Sequence, residues 1–179
     1  HGEGLQIDLV ATVSVDATTL RPGRDDQALV LHTSGTTSRP KIVPLCQRNL
    51  SRSARNIAGH LQLTEADRSL NVMPLFHIHG IMAGLLAPLS AGGSVICTPS
   101  FDAFKFHRWL DALLPTYYSA VPTMHQMVLS RTKRPQQTSL RFIRSSSAAL
   151  PGPVLESLRA MFDVPVVEAY GMTEASHQM

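Results

Sequence analysis

Thr116-Tyr-Tyr-Ser-Ala-Val-Pro-Thr-Met-His-Gln-Met-Val-Leu-Ser-Arg131, followed after a short polar stretch by Leu140-Arg-Phe-Ile-Arg-Ser145, carries the alternation that decides the fold. Thr116–Val121 is rich in Tyr and Val, which suit a pleated, half-buried surface, and reads as a strand. Pro122–Arg131 reads as a helix, because a proline near its start occupies a position whose N–H has no intrahelical acceptor. Leu140–Ser145 is a second strand. Working outward, the same alternation recurs. Ala28–Thr33 is a strand, Ile42–Pro44 a short extended piece, and Gln47–Leu61 a helix on which Leu50, Ala54, Ile57, Ala58 and Leu61 share one face. Ser69–Met73 is a strand ended by Pro74, His79–Leu89 an apolar helix closed by Ala91-Gly-Gly93, and Ser94–Thr98 a strand. Asp102 can cap a helix bearing Phe106, Trp109, Leu110 and Leu113, which Pro115 stops. Pro151–Phe162 and Val164–Ala169 give the last helix and the last strand. Ahead of all these, alternation within Leu5–Val15 suggests one more strand, and Arg21–Asp26 reads as a loop.

Short strands alternating with helices imply an α/β fold: a parallel-type sheet with right-handed crossovers and flanking helices. In such sheets ligands collect outside the carboxyl ends of the strands. Ser34–Lys41, Pro74–His79, Ser145–Leu150 and Tyr170–His177 each follow an expected strand, so these four polar loops are expected on one edge.

The chain has 179 residues, 44% of them apolar, and a mean hydropathy near zero, enough for a buried core. Its net charge of +3 comes from scattered Lys and Arg with no aromatic–basic interleaving, which argues against a nucleic-acid surface and suits small anions. Cys46 and Cys97 belong to no metal-type spacing, and a reducing, cytoplasmic setting is the simple expectation. No apolar run approaches the roughly 20 residues of a membrane span.

Leu31-His-Thr-Ser-Gly-Thr-Thr-Ser-Arg-Pro-Lys41 gathers hydroxyls, one glycine and one lysine behind an apolar strand, a composition that can surround phosphate. It is not a Walker loop, since Pro40 rather than Gly precedes Lys41 and Ile42 follows it. Its Ser38-x-x-Lys41 also lacks the companions of penicillin-binding enzymes. A plain polar turn between two strands is the competing reading. Near the other end stands Glu168-Ala-Tyr-Gly-Met-Thr-Glu-Ala-Ser-His177, and between them Met73-Pro-Leu-Phe-His77 and Arg144-Ser-Ser-Ser-Ala-Ala-Leu-Pro151.

Taken in this order, these four segments resemble the signatures of the adenylate-forming superfamily, which holds acyl-CoA synthetases, luciferases and peptide-synthetase adenylation domains. Within it the segments look most like the oxalyl-CoA synthetases, which join oxalate to coenzyme A. The resemblance runs from about Leu29 to Met179. It implies a portion of the large N-terminal AMP-binding domain, covering residues 1–179, with the remaining C-terminal part and the small C-terminal domain absent. It also implies ATP, Mg²⁺ and coenzyme A as ligands, a small carboxylic acid as substrate, and a cytoplasmic or peroxisomal parent protein. By motif position, Thr33, Ser34, Gly35, Thr36, Thr37 and Lys41 would hold the phosphates. Thr173 would donate to the α-phosphate, and Glu174 would be the Mg²⁺ ligand. Tyr170 and Gly171, with Ser147, Ala148 and Ala149, would contact adenine.

A two-carbon diacid needs donors at its far end, and His77 and His177, with Ser147 as a neutral donor, are the candidates. His77-x-His79 could instead be a packed loop with one satisfied imidazole, and a three-histidine metal site is a further alternative. Ser38 and Ile42 stand where the superfamily's loop usually has glycine. A non-catalytic nucleotide-binding module is the rival from another class.

Overall fold

Parallel pairing fixes the architecture, because each strand must be followed by a crossover long enough to return the chain to the same end of the sheet. The computed structural model describes residues 21–33 and 40–179. The strand expected within Leu5–Val15 and the loop residues Ser34, Gly35, Thr36 and Thr37 lie outside the described residues. β3 (Arg68–Asn71), β4 (Ser94–Cys97), β5 (Tyr117–Ala120), β6 (Phe142–Ser146) and β7 (Val166–Ala169) form a five-stranded, wholly parallel sheet in the order β4-β3-β5-β6-β7. The quoted stretch supplies its two inner strands β5 and β6, with α4 (Pro122–Leu129) between them.

Parallel sheets bury both faces, and this one has a core on each. Leu70, Tyr118 and Ile143 stand in register across β3, β5 and β6. They pack with Phe106 and Leu110 of α3 (Phe106–Leu113), Val128 of α4, and Val154 and Leu158 of α5 (Gly152–Phe162). One residue earlier, Tyr117 and Phe142 point the other way and stack with ring centroids 4.8 Å apart. Their core includes Ile57 of α1 (Gln47–His60), Met82, and Leu31, Val43 and Leu45 of β1 (Gln27–Thr33) and β2 (Lys41–Cys46). The next residues on that same face, Asn71, Ser119 and Arg144, are also in register and buried, yet polar. They form one hydrophilic row at the carboxyl half of the sheet.

Two expectations need correction. β1 and β2 do not join the parallel sheet; they pair antiparallel as a separate ribbon, with Thr33 opposite Lys41. The link from Thr33 to Lys41 is too short for a parallel crossover, which needs roughly a dozen residues, so the two strands pair antiparallel. Only Pro74–His79, Ser145–Leu150 and Tyr170–His177 follow strands of the parallel sheet. Second, His79–Leu89 is not one α-helix: Gly80–Leu86 is a π-helical turn that runs into α2 (Ala87–Ser90). Asn71 causes the widening, since its amide donates to the Gly80 carbonyl (3.3 Å) and its side chain lies where a β-carbon on Gly84 would sit. Single π turns are often found at functional sites, and this one begins directly after His79.

At the opposite, amino end of the sheet, buried Asp67 ties three elements together. It accepts two bonds from Arg141 (2.9 Å each), one from the Thr116 hydroxyl (2.7 Å) and one from the Thr64 amide (2.9 Å). Burial alone would push its carboxyl up, but these bonds outweigh it and hold the group below its ordinary value. Arg141 is half-exposed, which screens the ion pair, so Asp67→Asn is expected to cost about 2 kcal/mol in urea unfolding, most of it from mispaired donors. A loss below about 0.5 kcal/mol would contradict this role.

Candidate functional site

The last described segment folds back on itself because of one glycine. A β-carbon on Gly171 would collide with the His177 carbonyl, so only glycine lets the chain close here. The Met172 carbonyl accepts the amides of Ala175 (3.2 Å) and His177 (3.0 Å), and the Tyr170 carbonyl accepts that of Met179 (3.2 Å). The result is a short 3₁₀ turn over Thr173–Ala175. This turn packs against β2, the strand that carries Lys41 out of the ribbon's connection. From α1, the Ser53 hydroxyl donates to the Ser176 carbonyl (2.6 Å). Glu174 is exposed beside Arg48, Asn49 and Arg52 in a polar cleft.

Folding the loop in this way buries His177. Its ring lies nearly parallel to that of His79, with centroids 4.7 Å apart. His79 is buried from the other side: Nε2 is 2.7 Å from the Ser119 hydroxyl and Nδ1 is 3.0 Å from that of Ser147. Ser147 itself has φ of +73°, a left-handed backbone that non-glycine residues hold only when the surroundings enforce it. Beneath the pair lies Arg144, whose Nη1 contacts Ser119 (3.1 Å) and His79 (3.4 Å) and whose Nη2 donates to Gln178 (3.1 Å).

Electrostatically the cluster is cationic and dry. Burial, then the nearby His177 and Arg144, hold His79 well below its ordinary value. Burial and Arg144 bring His177 down to about 3. Burial also lowers Arg144 to about 10, which leaves it charged at neutral pH. Among the described residues, the Nε of Arg144 and the Nε2 of His177 have no hydrogen-bond partner. Unpaired buried donors and acceptors are costly, and those beside a cavity mark a place for a ligand.

Two cavities meet at this cluster. One, of about 540 Å³, is walled by His77, His79, Ser147, Gly171, Thr173 and His177. The other, of about 380 Å³, is walled by Ala148, Ala149, Glu168 and Tyr170, and shares Ser147 and Gly171 with the first. Tyr170 is 74% exposed over this second cavity, a free ring face on which a flat base could stack. Thus one surface collects the expected substrate residues and the expected adenine residues side by side. Thr33 and Lys41 face each other at the end of the ribbon.

The AMP-binding enzyme family profile matches residues 4–179. The chain belongs to the AMP-binding enzyme family. Among curated relatives, an oxalate–CoA ligase of Arabidopsis thaliana is 49% identical over 96% of this chain and 36% of its own length. An oxalate–CoA ligase of Saccharomyces cerevisiae is 46% identical over 86% of the chain and 28% of its own length. Among solved structures, the o-succinylbenzoate coenzyme A synthetase of Bacillus subtilis in complex with ATP and magnesium ion superposes with a TM-score of 0.79 at 36% identity, covering 88% of this chain and 32% of that one. The chain therefore spans about a third of the length of the relatives it matches.

For this AMP-binding enzyme, sequence reasoning paired His77 with His177, whereas the imidazole that meets Ser147 and stacks on His177 is that of His79. His77 is exposed on the cavity wall, its ring beside Phe76. His79 is the satisfied imidazole of the packed-loop alternative, yet it also faces the cavity. Ser119, Arg144 and Gln178 were missed altogether. One signal was available: a single charged residue, Arg144, in the middle of the otherwise uncharged strand Phe142–Ser146.

His79, His125 and His177 are all buried and held neutral, His125 at about 4 against Tyr118. In the unfolded chain they would bind protons near 6.5, so the unfolded state takes up more protons as pH falls. Their contribution is complete above that value and is lost below it, by roughly 1.4 kcal/mol per pH unit for each histidine. Urea midpoints should be level from pH 8 to about 7 and fall steeply toward pH 5; a midpoint unchanged down to pH 5 would show that these rings are not neutral when folded.

Proposed function

We propose that these 179 residues are the nucleotide- and acid-binding part of a longer ATP-dependent acid–CoA ligase that activates oxalate or a similarly small diacid. The single observation that carries this reading is the shared wall of Ser147 and Gly171. It sets a cavity with His77, His177 and Ser147 in its wall directly beside one where the exposed Tyr170 ring could stack on a planar base. An acid in the first cavity and a nucleotide in the second would bring a carboxylate oxygen up to the α-phosphorus. The oxygen–phosphorus bond forms there as pyrophosphate leaves, and the thiol of coenzyme A later displaces AMP from the acyl carbon.

Thr173, in the wall of the larger cavity two residues after the shared Gly171, would donate to the α-phosphate. The ribbon end with Thr33 and Lys41, and with it Ser34, Gly35, Thr36 and Thr37, would meet the outer phosphates. Glu174, an exposed carboxylate in the polar cleft with Arg48 and Arg52, would be the residue that holds Mg²⁺, which would supply charge neutralisation to the phosphates. The acid itself is inferred from the lining. His77, His177 and Ser147 offer donors within a lining that Met73, Ile78, Val121, Met124 and Met172 complete with apolar surface, and a dianion would favour protonation of His177. The oxalate–CoA ligases among the relatives support the same choice.

No helix among the described residues is long and apolar enough to cross a membrane. Free Cys46 and Cys97 accord with a reducing compartment such as cytoplasm or peroxisome.

Pyrophosphate release by the whole protein tests the reading. Oxalate should support release, and Lys41→Ala and Glu174→Ala should each lower it about a hundredfold or more with melting temperature nearly unchanged. His177→Ala should raise KM for oxalate about tenfold or more and leave that for ATP within about twofold. Release with no acid at all from a broad panel would overturn the ligase reading; release with long-chain acids but not oxalate would overturn the pocket assignment.

A further inference from the structure

We propose that Arg144 sets the tautomer of His79 and thereby makes Ser147 a hydrogen-bond donor directed at the acid, so that Arg144 is a positioning residue for acid selection. The inference rests on the acid-binding reading of this cavity and extends it to residues that do not themselves line the cavity.

The argument is a count of protons along one chain of contacts. Arg144 is 1% exposed and can only donate. Its Nη1 lies 3.1 Å from the Ser119 oxygen and 3.4 Å from His79 Nε2. Two N–H groups cannot face each other across that second gap without repulsion, so Nε2 carries no proton and accepts. The Ser119 oxygen already accepts from the guanidinium, so its own proton goes to Nε2, 2.7 Å away. A neutral imidazole with a bare Nε2 must carry its proton on Nδ1. That proton points to the Ser147 oxygen at 3.0 Å. Ser147 thus accepts from below, and its remaining proton is free for the cavity it lines.

Every bond in the relay runs the same way, from the guanidinium outward. The cavity end of the relay is then a donor, which rewards an acceptor such as a carboxylate oxygen and penalises an N–H or O–H in that place. The arrangement has structural support: Ser119 and Arg144 occupy adjacent register positions on β5 and β6, and the left-handed backbone at Ser147 fixes its side chain over His79. Among the described residues Arg144 makes no salt bridge, so its charge is not spent on a protein carboxylate.

The test uses the whole ligase with ¹⁵N-labelled histidine. Two-bond proton–nitrogen correlations report the tautomer of His79, assigned by the signal lost in His79→Asn. The wild type should show Nδ1–H, and Arg144→Met should shift the population toward Nε2–H. In pyrophosphate assays Arg144→Met should raise KM for oxalate about tenfold or more, with that for ATP within about twofold. Arg144→Lys, which keeps a donor, should recover part of the loss. Should Arg144→Met fail to fold, Ser119→Ala interrupts the same relay and is expected to raise the oxalate KM in the same sense. A wild-type His79 protonated at Nε2, or equal losses for oxalate and ATP in the variants, would overturn the proposal. If the wild type uses no small acid, the functional reading fails while the tautomer still decides this inference.

Discussion

The whole site depends on one constraint: a parallel sheet buried on both faces must place every strand's carboxyl end at the same edge. β3, β6 and β7 therefore release the loops bearing His79, Ser147 and Tyr170 side by side, although they lie far apart in the chain. The same pairing that builds the edge also lines up Asn71, Ser119 and Arg144 just beneath it. Asn71 sets the π turn that presents His79, and Ser119 and Arg144 hold its ring. Fold and site share these hydrogen bonds, so the apolar cores can be tight without touching the chemistry.

The charge logic follows from burial. Burial first, and the charge of the guanidinium after it, keep the imidazoles of His79 and His177 unprotonated. With both rings neutral, the fold avoids a cluster of three buried positive charges, which would be very costly. Under the proposed function, an incoming dianion would reverse the balance, because attraction to Arg144 and to a newly protonated His177 would offset its own desolvation. Selectivity for a doubly charged acid would then be a property of the field as much as of shape.

Much of this was legible in the chain. The alternation of strand and helix from Ala28 onward gave the α/β class, and the segments around His77, Ser147 and Tyr170 marked loops that meet at one edge of the sheet. What was not legible had physical causes. Local pattern could not separate the β1–β2 ribbon from the sheet, since extended segments look alike until the length of their connection is weighed. The choice between His77 and His79 turned on which ring the π turn carries inward, and that depends on Asn71, a contact made nine residues away from Gly80. Arg144 was hidden by its neighbours, because a strand of Phe, Ile and Ser reads as plain core until the register sets the guanidinium against Ser119.

Proton uptake on acid binding tests the central claim most directly. Oxalate would be titrated calorimetrically at pH 7.5 into the whole protein holding an unreactive α,β-methylene analogue of ATP, in two buffers of different ionisation enthalpy. A neutral, buried His177 that ionises beside a dianion, with His79 kept neutral by Arg144, predicts net uptake of about one proton per oxalate bound, and none for acetate. Oxalate binding with no buffer dependence would contradict the account, because the histidines would then be bystanders in a cavity that reads something else.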